Sequence, residues 1–164
     1  MKIDFVVAQE KDLNQIVATY NSSIPGRLAT ADLEPVSVES KIVWFREHRA
    51  DFRPLYLVNY GGEYAGWMSF SSFYGRPAYN ATAEISIYLE SSFQGKGIGK
   101  RCLMQAESVA PKIGVKNLLG FIFGHNTPSL NLFFSMGYER WALLPGIADM
   151  DGEFRDLIIL GKKL

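Results

Sequence analysis

The pattern of apolar residues predicts an α/β protein with a mixed sheet, and three observations carry that prediction. Strand-like and helix-like segments alternate from end to end of the 164 residues. Gly61-Gly62 joins two strand-like segments as a hairpin turn. A segment of strict period two, Ala83 to Leu89, runs into the glycine-rich stretch Gln94 to Gly99 and then into a helical pattern.

The elements follow in order. Ile3 to Ala8 is a short apolar run that stops at Gln9-Glu10-Lys11, and it reads as a strand. Asp12, with Gln15 three residues on, has the spacing of a helix-start capping box. Leu13, Ile16, Val17 and Tyr20 then lie on one helical face. Residues 21–35 contain Pro25-Gly26 and no period, which marks a long loop of the kind that often binds ligands. Ser37 is placed to cap a second helix, on which Val38, Ile42 and Phe45 share a face. Tyr56 to Tyr60 and Tyr64 to Phe70 form the hairpin, and Ser71 to Asn80 reads as a loop. Ile98, Cys102, Leu103, Ala106 and Val109 trace a helix that Pro111 bends and Gly114 ends. Leu118 to Phe123 is a strand. Thr127, with Pro128 at the first helical position, predicts a capped start for a helix that Gly137 ends. Trp141 to Leu144 and Asp156 to Leu160 read as the last strands, with 145–152 between them. No repeat, linker or low-complexity tract divides the chain, so one domain over residues 1–164 is expected.

Composition narrows the function classes. Lys plus Arg number 17 and Asp plus Glu number 17, so net charge gives no reason to expect nucleic acid or an anionic membrane as partner. Cys102 is the only cysteine, which excludes an internal disulfide and a thiolate-rich metal site. Its place between Ile98 and Ala106 on an apolar face makes it a core thiol. His48 and His125 fall in no metal or triad pattern, so no metal is expected. No apolar run approaches the ~18 residues of a membrane span, and the first residues do not form a signal peptide. A cytoplasmic location is the expectation.

The segment with the most chemistry is Gln94-Gly95-Lys96-Gly97-Ile98-Gly99. Glycines let backbone amides approach a ligand closely. The unpaired amides at the start of a helix, with its dipole, favour anionic oxygens. Lys96, Lys100 and Arg101 add positive charge. Together these point to phosphate or pyrophosphate. The spacing fits neither the dinucleotide fingerprint nor the P-loop. It does fit the Gln/Arg-x-x-Gly-x-Gly/Ala turn of the GNAT superfamily of acetyl-CoA-dependent N-acetyltransferases, with Gln94, Gly97 and Gly99 in its defining positions.

Across nearly the whole chain the sequence resembles the phosphinothricin and methionine sulfoximine N-acetyltransferase group of that superfamily. Thr30-Ala31-Asp32 with Glu34-Pro35, Phe73-Tyr74-Gly75-Arg76-Pro77, Thr82-Ala83-Glu84 and Met136-Gly137-Tyr138 carry the likeness. It implies a GNAT fold, a mixed and mostly antiparallel sheet flanked by helices. It also implies acetyl-CoA as co-substrate, a small-molecule amine as acceptor and a homodimer. Glu84 takes the role of general base, which an ammonium acceptor requires because it has no lone pair. The backbone of Ile87 and Leu89 pairs with the pantetheine arm, and one amide polarises the thioester carbonyl. Gln94, Gly95, Lys96, Gly97, Ile98, Gly99 and Lys100 hold the pyrophosphate, and Asn126 and Ser129 reach the pantetheine. Arg76 grips the carboxylate of an amino-acid acceptor, as a planar guanidinium does well. The fourth helix offers Phe133 and Phe134 where many members carry a tyrosine or histidine acid, so the leaving thiolate departs unaided or with Tyr88 or Tyr138. Two other functions fit the same residues: acetylation of peptide or protein N-termini, and binding of acetyl-CoA without catalysis.

Overall fold

The computed structural model describes residues 1–164. Seven strands form one sheet in the order β1-β2-β3-β4-β5-β7-β6. The strands are β1 (Ile3–Val7), β2 (Leu55–Tyr60), β3 (Glu63–Ser72), β4 (Thr82–Leu89), β5 (Asn117–Phe123), β6 (Glu139–Met150) and β7 (Glu153–Lys163). Every neighbouring pair is antiparallel except β4 and β5. The helices are α1 (Leu13–Ser22), α2 (Ile42–Arg46), α3 (Ile98–Val109) and α4 (Thr127–Ser135).

The two faces of β4 explain the layers. Ala83 and Ile85 enter the main core, where they meet Ile98, Cys102, Leu103 and Ala106 of α3 and Phe133 of α4. On the opposite face, Ile16 of α1 packs with Leu55, Leu57 and Trp67, and Trp44 and Phe45 of α2 lie against them. Glu84, Ser86 and Tyr88 therefore point toward the α1–α2 layer. Cys102 is fully buried, and burial pushes its thiol up to about 12. It is a core residue, as its position on the helix predicts.

Three local readings change. The α4 cap is Asn126, not Thr127: its side-chain oxygen accepts from the Ser129 N–H at 3.3 Å, and the proline follows at the second position. Asp12 turns back to accept from the Gln9 N–H at 2.8 Å, because a short 3₁₀ turn at Glu10–Asp12 precedes α1. The stretch after Leu144 is not a connection but part of β6. The pairing of β6 with β7 slips between Leu144 and Ala148, where Pro145 can donate no ladder bond and Gly146 adopts φ +59°. The Gly146 N–H is satisfied by Asp156 at 2.8 Å, and the hairpin then continues to Met150. Pro111 does end the regular part of α3, whose last turn tightens to a 3₁₀ helix at Ala110–Ile113 and closes on Gly114 at φ +75°.

Candidate active site

The sheet splits at its centre. β4 and β5 pair only from Thr82 to Glu84, opposite Asn117 to Leu119. Beyond Glu84 no strand lies on that side of β4. The Glu90 N–H donates to the Ala65 carbonyl at 2.8 Å, on the β3 side. Strand alternation then turns the amides of Tyr88 and Ser86 toward β3 and those of Ile87 and Leu89 into the split. Both expected backbone contacts thus face open space.

The split leads to the glycine-rich turn. Gly95 and Gly97 have φ of +74° and +77°, which L-residues rarely adopt, and a Cβ on either would meet no atom within 4 Å. The N–H groups of residues 95–100 find no acceptor in the chain. Gln94 donates from Nε2 to the Leu89 carbonyl at 3.4 Å, which ties the turn to the end of β4. Gly99 serves packing instead, because Leu132 Cδ2 of α4 lies 2.8 Å from where its Cβ would be. A row of outward amides, an open floor and the Lys96 and Lys100 side chains fit a pyrophosphate.

Glu84 is the last paired residue before the split and sits opposite Ser71 of β3. Burial raises its carboxyl from the ordinary range to about 7. It lines an open cavity with Thr30, Phe121, Phe123, Asp149 and Leu157. Loop 23–35 roofs this space. Asn21 closes the neck of the loop through two bonds of 2.9 Å with the Val36 backbone. Tyr88 Oη donates to the Ala29 carbonyl at 3.2 Å, and Tyr20 Oη donates to the Asp32 carboxylate. Arg27 ion-pairs with Asp151 of the β6–β7 turn at 2.8 Å. His125 Nε2 lies 2.8 Å from the Arg27 carbonyl, and Asn126 Nδ2 donates to the Leu28 carbonyl at 3.2 Å.

The other expected residues are dispersed. Asn126 and Ser129 are engaged with each other at the α4 cap, at the rim of the split. Arg76 is exposed on the β3–β4 connection and lines neither of the two cavities described. Tyr138 is buried with its hydroxyl unpartnered, and Lys162 lies 5.7 Å from its ring. Burial raises Tyr88 and Tyr138 well above the ordinary phenol range.

Sequence reasoning missed a second cavity under α1 and α2. Tyr20, Trp44, Trp67 and Tyr88 wall it with Ile16, Val17 and Val36, and Lys41 and three serines complete the lining. Trp44 and Trp67 pack edge to face and both line this space. The available signal was the run Trp67, Ser69, Ser71, which puts hydroxyls on the buried face of a central strand.

A split parallel pair, an amide-lined turn at its end and a shielded carboxylate at its apex define an acyl-transfer site. The chain belongs to the acetyltransferase (GNAT) family, whose model matches residues 14–138. It is 50% identical over 159 residues to YwnH of Bacillus subtilis (strain 168), provisionally named a phosphinothricin acetyltransferase; the match covers 96% of this chain and 97% of that one. It is 26% identical over 157 residues to the L-amino acid N-acyltransferase MnaT of Escherichia coli (strain K12), covering 96% and 91% of the two chains. Among solved structures, a GNAT superfamily phosphinothricin acetyltransferase from Sinorhizobium meliloti in complex with AcCoA superposes with a TM-score of 0.92. It is 26% identical, over 100% of this chain and 89% of that one.

Proposed function

We propose that this protein transfers an acetyl group from acetyl-CoA to the α-amino group of a small amino-acid-like acceptor of the phosphinothricin, methionine sulfoximine or methionine sulfone type. The observation that carries the reading is Glu84, a shielded carboxylate at the apex of the split between β4 and β5. The names of the relatives YwnH and MnaT support the acceptor class. Acetyl-CoA supplies an activated thioester.

The chain's own residues do the rest. The Gly95 to Lys100 amides and the nearby lysines bind the pyrophosphate. The Ile87 and Leu89 backbone orients the pantetheine as an added strand, and an amide there stabilises the negative charge that develops on the carbonyl oxygen. Glu84 takes the proton of the acceptor ammonium, directly or through water. A carboxyl near 7 is well matched to that task at neutral pH. Attack is direct, since the one thiol is buried and held protonated. A thiol of pKa ~8.5 leaves without a protein acid. Asn126 and Ser129 flank the arm from the α4 cap, and Arg76, outside both cavities on the β3–β4 connection, is assigned the acceptor carboxylate on the family resemblance. The exposed Trp141, Leu143, Ile147 and Phe154 of the terminal hairpin offer the apolar surface for a homodimer.

The test is thiol release from acetyl-CoA with a panel of amines: phosphinothricin, methionine sulfoximine, methionine sulfone and a short peptide. Release is expected with the three amino acids and least with the peptide. Uptake of acetyl-CoA with no release for any amine would overturn the reading.

A further inference from the structure

The cavity under α1 and α2 has the composition of a binding site. Its floor is the stretch of β3 and β4 next to Glu84. Ser71 stands opposite Glu84, and Ser69 stands opposite Ser86. Ser69, only 1% exposed, and the half-buried Ser71 and Ser86 all line the cavity. Each hydroxyl can donate one hydrogen bond and accept others, so the row offers donors to a polar group that enters the cavity.

The wall is aromatic. Trp67 and Tyr88 stack with ring centroids 4.8 Å apart, and Trp44 meets Trp67 edge-on at 5.6 Å. Lys41 is the one cation of the lining. Its ammonium lies 5.7 Å from the Tyr20 ring centroid and 6.0 Å from that of Trp44. It forms no ion pair, so its charge faces the cavity without a counter-ion.

Position links this cavity to the chemistry. Glu84 lines one open space and Ser86, two residues on, lines the other. At about 3.3 Å per strand residue, the two are about 7 Å apart along β4. An amine held at Glu84 places a group four bonds further along its carbon chain beside Ser86 and Ser69. Arg76 lies on the connection at the opposite end of the hairpin, before Thr82.

We propose that this cavity is the acceptor's side-chain site and that Lys41 selects acceptors whose side chain ends in an anionic group, of the phosphinate or carboxylate class. The serine hydroxyls donate to the same oxygens, and the aromatic rings enclose the methylenes. This rests on the amino-acid acetyltransferase reading and specifies its substrate class.

The test compares phosphinothricin, whose tail is anionic, with methionine sulfone, whose tail is polar and uncharged. The readout is the ratio of their kcat/KM values in thiol release. Lys41→Met keeps the stem and removes the charge; the ratio should fall at least tenfold, through KM. Lys41→Arg should keep the preference, which a merely structural role would not require. Calorimetric titration with phosphinothricin supplies a second readout, independent of turnover. If the parent acetylates both acceptors and Lys41→Met leaves the ratio unchanged, the assignment of Lys41 is overturned while acetyl transfer stands. If the parent releases no thiol, yet binds phosphinothricin in a manner that Lys41→Met abolishes, the cavity assignment stands and the transfer reading falls. A parent that neither binds nor acetylates phosphinothricin overturns the cavity assignment.

Discussion

Glu84 has two opposed demands placed on it. To act as a base it must be ionised, and to be shielded it must lose hydration. Burial alone raises its carboxyl to about 7, with no nearby charge contributing. The folded pKa therefore lies above the unfolded one. The native state holds an extra proton between about pH 4.5 and 7, so this group's contribution to stability declines as pH rises through that window and is constant above it. Glu84→Gln removes that penalty. The variant should match the parent in stability near pH 4 and exceed it at pH 8, by up to about 3 kcal/mol. Denaturant melts at both pH values check this, and a constant difference between them would show that the carboxyl is not desolvated. The same variant should lose about 10²–10⁴-fold in kcat/KM, with the deficit shrinking at high pH where more acceptor amine is already neutral. A carboxylate on the polar side of a strand was legible in the sequence. Its desolvation was not, because the roof comes from loop 23–35, some fifty residues away.

At the scale of elements, the β3–β4 pair bears the site, and Gly66 lets the two strands close. A Cβ there would lie 2.1 Å from the Tyr88 carbonyl oxygen and 2.8 Å from Leu89 Cα, both backbone atoms. Neither can swing aside as a side-chain tip can. Gly66→Ala should cost about 2–3 kcal/mol in chemical denaturation. It should also weaken acetyl-CoA binding, because Tyr88 and Leu89 border the split. Unchanged stability would mean that the two strands do not close tightly at Gly66. Most elements could be read from period and punctuation, as with Gly61-Gly62 and the helix from Ile98. Errors fell where two local signals compete. Asn126 and Thr127 can each cap the same helix, and only the turn of the chain leaving β5 decides between them. Pro145 and Gly146 suggest a break, but a long hairpin absorbs them as a bulge because Asp156 on the facing strand satisfies the freed amide.

For the molecule as a whole, the strand order places β7 between β5 and β6 and leaves a single parallel contact in the centre. Local sequence carries no record of that order, which follows from which faces must be buried together. The prediction at this scale concerns amide exchange. Without ligand, the amides of Ile87 and Leu89 should exchange fast although they lie mid-sheet, while those of Ser86 and Tyr88, facing β3, should be slow. Saturating acetyl-CoA should slow the first pair and leave the second as it was. Equal protection of all four amides in the free protein would show that the split is closed in solution.

A strand with one bare side is ordinarily found at the rim of a sheet, where lysines, prolines or a covering helix guard it against foreign chains. Here the bare side lies in the middle of the fold. On the proposed reading, the thin, extended arm of acetyl-CoA has a structural office as well as a chemical one: it becomes the sheet's missing neighbour. Because only the folded chain offers this berth, each tenfold rise in ligand concentration above Kd should add about 1.4 kcal/mol to the stability of the folded state. On that reading, ligand supply also governs how long the centre of the sheet stands open to mispairing.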